Sequence, residues 1–178
     1  MILLEYLKEF QGIIGALAGV IATLIVSQFV KNSGTIKTHQ KEFKYTPSFD
    51  DPNNVDEYGR PLGGIVTAFE IKGTILFENT SESMKAIHDI KLMFLTNSGE
   101  KFKELQDVST IRKSAGFIAY DKVTHLNLPA KEITAIEVRM YANKTDIGYF
   151  FGQNDVYLVF EIANKKIFKN KKVKINIQ

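Results

Sequence analysis

The chain has 178 residues and a formal charge of +3, and its 44% hydrophobic and 24% charged residues exclude general disorder. It contains no cysteine, which excludes disulfides, thiolate metal sites, cysteine nucleophiles and lipid anchors on cysteine. The positive charge is concentrated in residues 161–178, which hold six lysines against one glutamate, so the chain as a whole does not present a basic face for nucleic acid.

An apolar run of 21 residues without charge separates Glu9 from Lys31. As a helix it would be about 30 Å long, which is the thickness of the hydrocarbon core of a bilayer. A helix in a soluble core normally keeps a polar face. The polar residues of this run are few, namely Gln11, Thr23, Ser27 and Gln28. We therefore predict a membrane anchor helix in residues 1–31, with a buried soluble helix as the alternative.

A cleaved signal peptide is a second alternative, which requires a basic start and a small-residue cleavage site. Residues 1–10, MILLEYLKEF, are slightly acidic. The small residues Ala16-Leu17-Ala18 lie inside the apolar run, with too little hydrophobic core before them. We expect an uncleaved anchor.

The lysines that flank the run predict its orientation, because lysine and arginine near a membrane helix favour the cytoplasmic side. Lys8 alone precedes the run, and Lys31, Lys37, Lys41 and Lys44 follow it. The C-terminal domain is therefore expected in the cytoplasm, and an extracytoplasmic domain is the alternative.

Small residues recur at every fourth position of the run, at Gly15, Gly19, Thr23 and Ser27. Such a stripe lets two helix backbones approach closely, and Gly15 and Gly19 have the spacing of a known dimer contact. The stripe predicts association with a second copy or with another membrane helix. The alternative is that small residues are simply common in membrane helices.

After Gly34 the hydrophobic period changes to the alternation of β-strands. Residues 36–45 read as a strand with a slip in phase, residues 46–64 as a loop rich in Pro, Gly, Asp and Asn, and Asn97–Glu100 as a turn. Gly73 is expected to bulge or bend its strand. The further strand candidates are Ile65–Glu78, Ile87–Thr96, Leu105–Ile111, Phe117–Tyr120, Val123–Leu128, Ile133–Tyr141, Val156–Ala163 and Ile167–Ile177.

About eight strands, with no helix predicted after residue 31, indicate a mainly β chain. We predict an antiparallel immunoglobulin-like β-sandwich after the single transmembrane helix, with a small β-barrel as the alternative. The expected division is an anchor in 1–31, a membrane-proximal strand and loop in 32–64, and a sandwich core in 65–178, with which 32–45 pairs.

Three segments give the chain a resemblance to known proteins. They are the helix end Phe29–Lys37, the strand end Phe77–Ser81 with Ile87–Ile90 after it, and Asn127–Lys131. With these segments the chain resembles small uncharacterised bacterial proteins that have one N-terminal membrane helix and a β-sandwich. The resemblance implies topology and no activity.

No motif predicts chemistry. His39, His88 and His125 lack the spacing of a metal site, and the Asp- and Asn-rich residues 50–57 lack the spacing of an EF-hand, so a solvated turn is preferred there over calcium. Phosphate-binding glycine loops and nucleophile elbows are also absent from the sequence. We predict no catalytic, cofactor or metal residues and no enzyme.

Two stretches are candidate contact surfaces. The first is Tyr149, Phe150 and Phe151, which as an exposed loop would form a protein contact and otherwise would plug the end of the sandwich. The second is the lysine-rich C-terminal strand. Its lysines either protect a sheet edge from aggregation or attract anionic headgroups. They are Lys165, Lys166, Lys169, Lys171, Lys172 and Lys174.

The sequence thus favours a binding or assembly module on a membrane anchor, with the lipid bilayer and another protein or a second copy as partners and no nucleic acid. One alternative is a ligand- or signal-triggered effector that oligomerises through its helix. Another is an extracytoplasmic ligand-binding domain.

Overall fold

The structure is a computed structural model that describes residues 10–50, 64–150, 155–163 and 169–177, with the backbone alone for Asn32, Gly148, Tyr149 and Lys169. In chain order the described elements are α1 (Gln11–Asn32), β1 (Ile36–Phe49), β2 (Val66–Asn79), β3 (Lys85–Thr96), β4 (Gly99–Glu104), β5 (Gln106–Asp107), a 3₁₀ turn (Val108–Thr110), β6 (Arg112–Ser114), β7 (Phe117–Ala119), β8 (His125–Leu128), β9 (Ile133–Ala142), α2 (Lys144–Phe150), β10 (Val156–Ala163) and β11 (Lys169–Ile175).

Two antiparallel sheets make up the sandwich of the described domain, and β6 and β7 form a separate two-stranded hairpin. The first has the order β1-β2-β9-β5. The second has the order β11-β10-β3-β4, with β8 paired to the start of β3. A barrel would join these strands into one closed sheet, so the described strands confirm the predicted β-sandwich.

The core lies between the two sheets and follows from the alternation of the long strands, which turns every second side chain inward. Phe77 of β2 and Phe160 of β10 are fully buried and meet edge to face across the two sheets, with their ring centroids 5.3 Å apart. Other buried residues surround this pair, among them Ile75, Leu92, Phe94, Val138, Met140 and Leu158.

The slip in phase predicted in the first strand is a β-bulge. Glu42 has a positive φ of 54°, and Glu42 and Phe43 together oppose Gly73 between the pairs Lys41–Thr74 and Lys44–Lys72. The pairing of β2 with β9 is continuous across Gly73, so the expectation that Gly73 bulges its own strand is wrong. Instead Gly73 leaves room for Phe43, because a Cβ at residue 73 would lie 2.6 Å from the Phe43 ring.

The helix α2 corrects the expectation of no helix after residue 31. Asn143 is the N-cap of this helix. Its side-chain oxygen accepts a hydrogen bond from the Thr145 amide at 3.1 Å, and its carbonyl accepts from the amides of Asp146 and Ile147. Seven residues are too few to show a helical period in the sequence. Phe150 ends the helix and packs on Phe94 at 4.6 Å between ring centroids.

The weakest strand predictions differ most from the structure. The single strand expected at Leu105–Ile111 is two residues of β5 followed by the 3₁₀ turn, and β6 was not predicted. By contrast, Asn97 and Ser98 form the expected turn between β3 and β4, and β10 pairs with β11 as expected.

Candidate functional site

The helix α1 is apolar and uncovered along its whole length. Its segment Gln11–Lys31 has a mean hydropathy of 2.3, and none of it is buried. Leu24 is 60% exposed and Phe29 is 75% exposed. A helix from a soluble core would be buried against other elements, so this alternative does not fit. The length and composition of α1 fit a membrane span and also a signal sequence.

The small-residue stripe of α1 is open in the single chain. A Cβ at Gly15 or Gly19 would meet no atom within 4 Å. The Thr23 hydroxyl donates to the Gly19 carbonyl at 2.8 Å, and Ser27 is exposed. The four residues therefore lie on a helix surface that nothing in the described part of the chain covers.

A junction of three residues, Ser33, Gly34 and Thr35, connects α1 to β1, and the domain holds it tightly. The Thr35 amide donates to the Thr80 hydroxyl at 2.8 Å, and the Thr80 amide donates to the Thr35 carbonyl at 3.0 Å. Gly34 has a φ of 104°, and a Cβ there would lie 2.8 Å from the Ser81 backbone, so the position requires glycine. Gly34 and Thr35 are exposed to solvent and are thus held against the domain by these contacts.

Lys85 adds a charged contact to the junction. Its ammonium donates to the Gly34 carbonyl at 2.6 Å. Burial lowers the pKa of Lys85 below its ordinary value, because removal from water disfavours the charged form. The hydrogen bond to Gly34 offsets part of this cost.

A buried polar network lies beneath the junction and is centred on Asn79. Its side-chain nitrogen donates to the carbonyls of Ser83, Leu128 and Pro129 at 2.9, 3.0 and 2.9 Å. Its side-chain oxygen accepts from the Ser81 hydroxyl at 2.6 Å. Asn79 and Ser81 are both fully buried. The network ties the loop after β2 to the turn after β8, and it joins two of the segments on which the resemblance rests.

We call the end of the sandwich that contains the junction the proximal end. By strand pairing it includes the start of β1, the end of β2 and the start of β9. Its charges are paired, since Lys37 lies 3.7 Å from Glu78 and Lys131 lies 3.0 Å from Glu82. Ile133 is 63% exposed at the same end.

The aromatic contact predicted at residues 149–151 is corrected for Phe150, whose side chain is buried and plugs the end of the core. The side chain of Tyr149 and the whole of Phe151 lie outside what the structure describes. Phe150 therefore contributes to packing and offers no contact surface.

Four of the C-terminal lysines, Lys169, Lys171, Lys172 and Lys174, lie on β11, which is the edge strand of its sheet. Those whose side chains are described have partners within the domain. Lys171 donates to the Ile36 carbonyl, Lys172 lies 3.3 Å from Glu100, and Lys174 lies 2.6 Å from Asp155. Lys165, Lys166 and the side chain of Lys169 are outside the described residues. The carboxylates of Glu100 and Asp155 reduce the net charge that Lys172 and Lys174 can offer to headgroups.

The histidines form one contact that sequence spacing did not predict. His88 of β3 and His125 of β8 are cross-strand partners, with their rings stacked at 6.3 Å between centroids. His39 lies 3.6 Å from Glu78. Within the described residues, no group of three His, Asp or Glu side chains is placed to hold a metal.

A concavity with a volume of about 420 Å³ lies where β4 and β5 adjoin. Its three lysines are each paired with a carboxylate, at 2.5 Å for Lys91 and Asp89, 2.5 Å for Lys103 and Asp146, and 2.6 Å for Lys122 and Glu104. The concavity therefore presents little net charge to a ligand.

Comparison with known proteins also separates the N-terminal helix from the domain that follows it. Residues 34–178 match the family described as the YopI Ig-like domain. The SPbeta prophage-derived uncharacterized protein YopI of Bacillus subtilis is 32% identical over 170 residues, which cover 93% of this chain and 94% of that protein. Those residues outnumber the positions in 34–178, so the alignment also reaches into the N-terminal segment.

Two solved structures are more distant, at 8% identity each. A protein from Archaeoglobus fulgidus has a TM-score of 0.36, covering 82% of this chain and 98% of its own. An uncharacterized β-sandwich protein from Clostridium difficile 630 has a TM-score of 0.32, covering 83% and 92%. The family model matches residues 34–178, and the relative from Bacillus subtilis is 32% identical over 93% of this chain. The chain belongs to the YopI Ig-like domain family.

Proposed function

We propose that the protein is a single-pass membrane protein that presents its Ig-like domain at the bilayer surface as a binding or assembly module. The observation that carries the proposal is the complete exposure of the apolar segment Gln11–Lys31. In water such a surface would be unfavourable at about 25 cal/mol per Å² of apolar area. A bilayer removes this cost, because it surrounds the helix with hydrocarbon.

The junction supports a domain held close to the membrane. Only Ser33, Gly34 and Thr35 separate α1 from β1, and hydrogen bonds with Thr80 and Lys85 fix Gly34 and Thr35 to the sandwich. A helix that spans the bilayer therefore places the proximal end at the level of the headgroups. We propose an anchor within residues 1–31 and a domain that includes β1, which pairs with β2 along most of its length.

The proposal assigns the bilayer as the first partner and a protein, or a second copy, as the second. It assigns no catalytic step and no nucleic acid. The cytoplasmic side is favoured for the domain, because Lys31 at the helix end and Lys37 in β1 follow the span, whereas Lys8 alone precedes it.

Membrane extraction of two double variants tests the anchor. Leu17→Lys with Leu24→Lys puts two charges into the span, each costing about 2.5–3.5 kcal/mol at the centre of a membrane helix. The control is Leu95→Lys with Phe102→Lys, which adds the same charge at exposed domain positions. The unchanged chain and the control should stay in membranes washed with alkaline carbonate, and the first double variant should be released.

The same preparation separates an anchor from a signal sequence. The intact mass of the membrane-bound chain should include α1. A mature product that lacks residues of α1, or a full-length chain that remains in solution without detergent, would overturn the proposal.

The open stripe on α1 favours a second candidate function, an effector that responds to a ligand or signal by oligomerising through its helix. Gly15 and Gly19 leave a groove that a second helix of the same kind can enter. A shift from monomer to oligomer in detergent when the domain binds its ligand would favour the effector over a passive module.

A further inference from the structure

The hairpin of β6 and β7 exposes large apolar side chains. Its strands pair with each other through Arg112–Ala119, Lys113–Ile118 and Ser114–Phe117, and within the described strands with nothing else. Phe117 is 67% exposed, Ile118 is 55% exposed, and Ile111 at the base is 43% exposed. A two-stranded hairpin gains little stability in water by itself, and burial within the described domain does not account for these apolar side chains.

The base of the hairpin is firmly attached to the sandwich. The Asp107 amide donates to the Asp121 carbonyl at 2.8 Å, and the Asp121 amide donates to the Thr110 hydroxyl at 2.8 Å. The side chain of Arg112 pairs with that of Asp121. These contacts therefore fix the base of the hairpin to the domain.

The chain enters the hairpin in the direction of the proximal end. β5 runs antiparallel to β9, with Gln106 beside Arg139 and Asp107 beside Val138. It therefore heads toward the start of β9 at Ile133, which lies beside Glu78 at the end that carries α1. β5 thus leads the chain toward the end of the proposed membrane anchor before the 3₁₀ turn Val108–Thr110 begins the hairpin.

We infer that the hairpin inserts Phe117 and Ile118 into the headgroup region of the anionic bilayer that α1 spans. Neighbouring residues of a strand lie on opposite faces, so apolar side chains project from both faces of the ribbon. A folded protein partner covers one face, whereas lipid surrounds both. Residues 111–120 carry no acidic residue, and Lys113 adds a positive charge beyond the pair of Arg112 and Asp121, which suits anionic headgroups and disfavours a second copy of the same hairpin.

This inference rests on the proposed membrane anchor, and fluorescence tests the two separately. The chain contains no tryptophan, so each substitution introduces a single fluorophore. The full chain is reconstituted in vesicles of phosphatidylglycerol and phosphatidylcholine, with and without acyl chains brominated near the headgroup. Phe117→Trp probes the hairpin, Phe29→Trp probes the end of α1, and Phe102→Trp, at a site 50% exposed on β4, is the matched domain control.

Brominated lipid should remove roughly half or more of the emission of Phe117→Trp and Phe29→Trp and leave that of Phe102→Trp unchanged, because only the first two reach the interface. Quenching of Phe29→Trp without quenching of Phe117→Trp overturns the hairpin inference and leaves the anchor standing. Absence of quenching at both sites overturns both. Shielding of Phe117→Trp from iodide without quenching by lipid indicates a protein cover and also overturns the inference.

Discussion

The side chain of Asn79 connects the loop after β2 to the turn after β8. It satisfies the carbonyls of Ser83, Leu128 and Pro129 in a fully buried position. Asn79→Ala removes the donor to the Leu128 and Pro129 carbonyls and the acceptor of the Ser81 amide, whereas the Ser83 carbonyl keeps its bond from the Ser81 hydroxyl. Buried polar groups that lose a partner cost about 1–3 kcal/mol each, although relaxation of the loops offsets part of this. We expect the free energy of unfolding to fall by about 2–4 kcal/mol, measured by denaturant titration of the full chain in detergent.

The matched control is Asn97→Ala in the exposed turn between β3 and β4. A surface change of this kind should alter the free energy of unfolding by less than about 0.5 kcal/mol. Equal effects of the two substitutions would show that the buried network does not stabilise the domain.

For Gly73→Ala we predict a change in the free energy of unfolding that is opposite in sign to the one expected from strand propensity. Alanine in place of a strand glycine normally stabilises by about 0.5–1 kcal/mol. Here the added Cβ would lie 2.6 Å from the ring of Phe43, which is 2% exposed and cannot move into solvent. We expect Gly73→Ala to lower the free energy of unfolding by about 1–3 kcal/mol.

A double-mutant cycle identifies the cause. In a Phe43→Leu background the same change at Gly73 should cost less by at least about 0.5 kcal/mol, because the ring is gone. The same cost in both backgrounds would contradict the steric explanation.

At the scale of elements, sequence alternation predicted the strands that sustain it. β2, β3, β9 and β10 have eight or more residues each, so the alternation of apolar and polar residues continues long enough to be recognised in the sequence. The three-residue strand β6 and the seven-residue helix α2 are too short for a period, and local capping and pairing define them instead.

The candidate site also has features that the sequence predicts and features that it does not. The apolar span and its stripe are local patterns, so the sequence predicts both. The network of Asn79 depends on Leu128, which is 49 residues away along the chain, and on the packing of the two sheets against each other. No local pattern encodes that contact, although the polar residues at strand ends in both segments pointed to turns that require hydrogen bonds.

The stripe of α1 makes a prediction for the helix as an element. Gly19→Ile fills the open groove on the side of Gly15, and Ile21→Phe adds volume on roughly the opposite side. If the stripe is a helix contact, Gly19→Ile should weaken self-association by roughly tenfold. Energy transfer between labelled chains in detergent micelles measures the association. A loss of transfer with Ile21→Phe as well, or with neither variant, would contradict a contact through the stripe.

At the scale of the whole molecule, the arrangement of charge around α1 predicts on which side of a membrane the domain would lie. The positive-inside tendency predicts a cytoplasmic domain, because Lys31 lies at the end of α1 and further lysines lie in the first half of β1. The chain has no cysteine, so Asn97→Cys adds a single thiol in an exposed turn at the end of the sandwich opposite the junction. A membrane-impermeant maleimide should label it only after the cells are permeabilised, with Ile2→Cys as the counterpart that labels in intact cells. Labelling of Asn97→Cys in intact cells would reverse the orientation and would favour a domain that binds its ligand outside the cytoplasm.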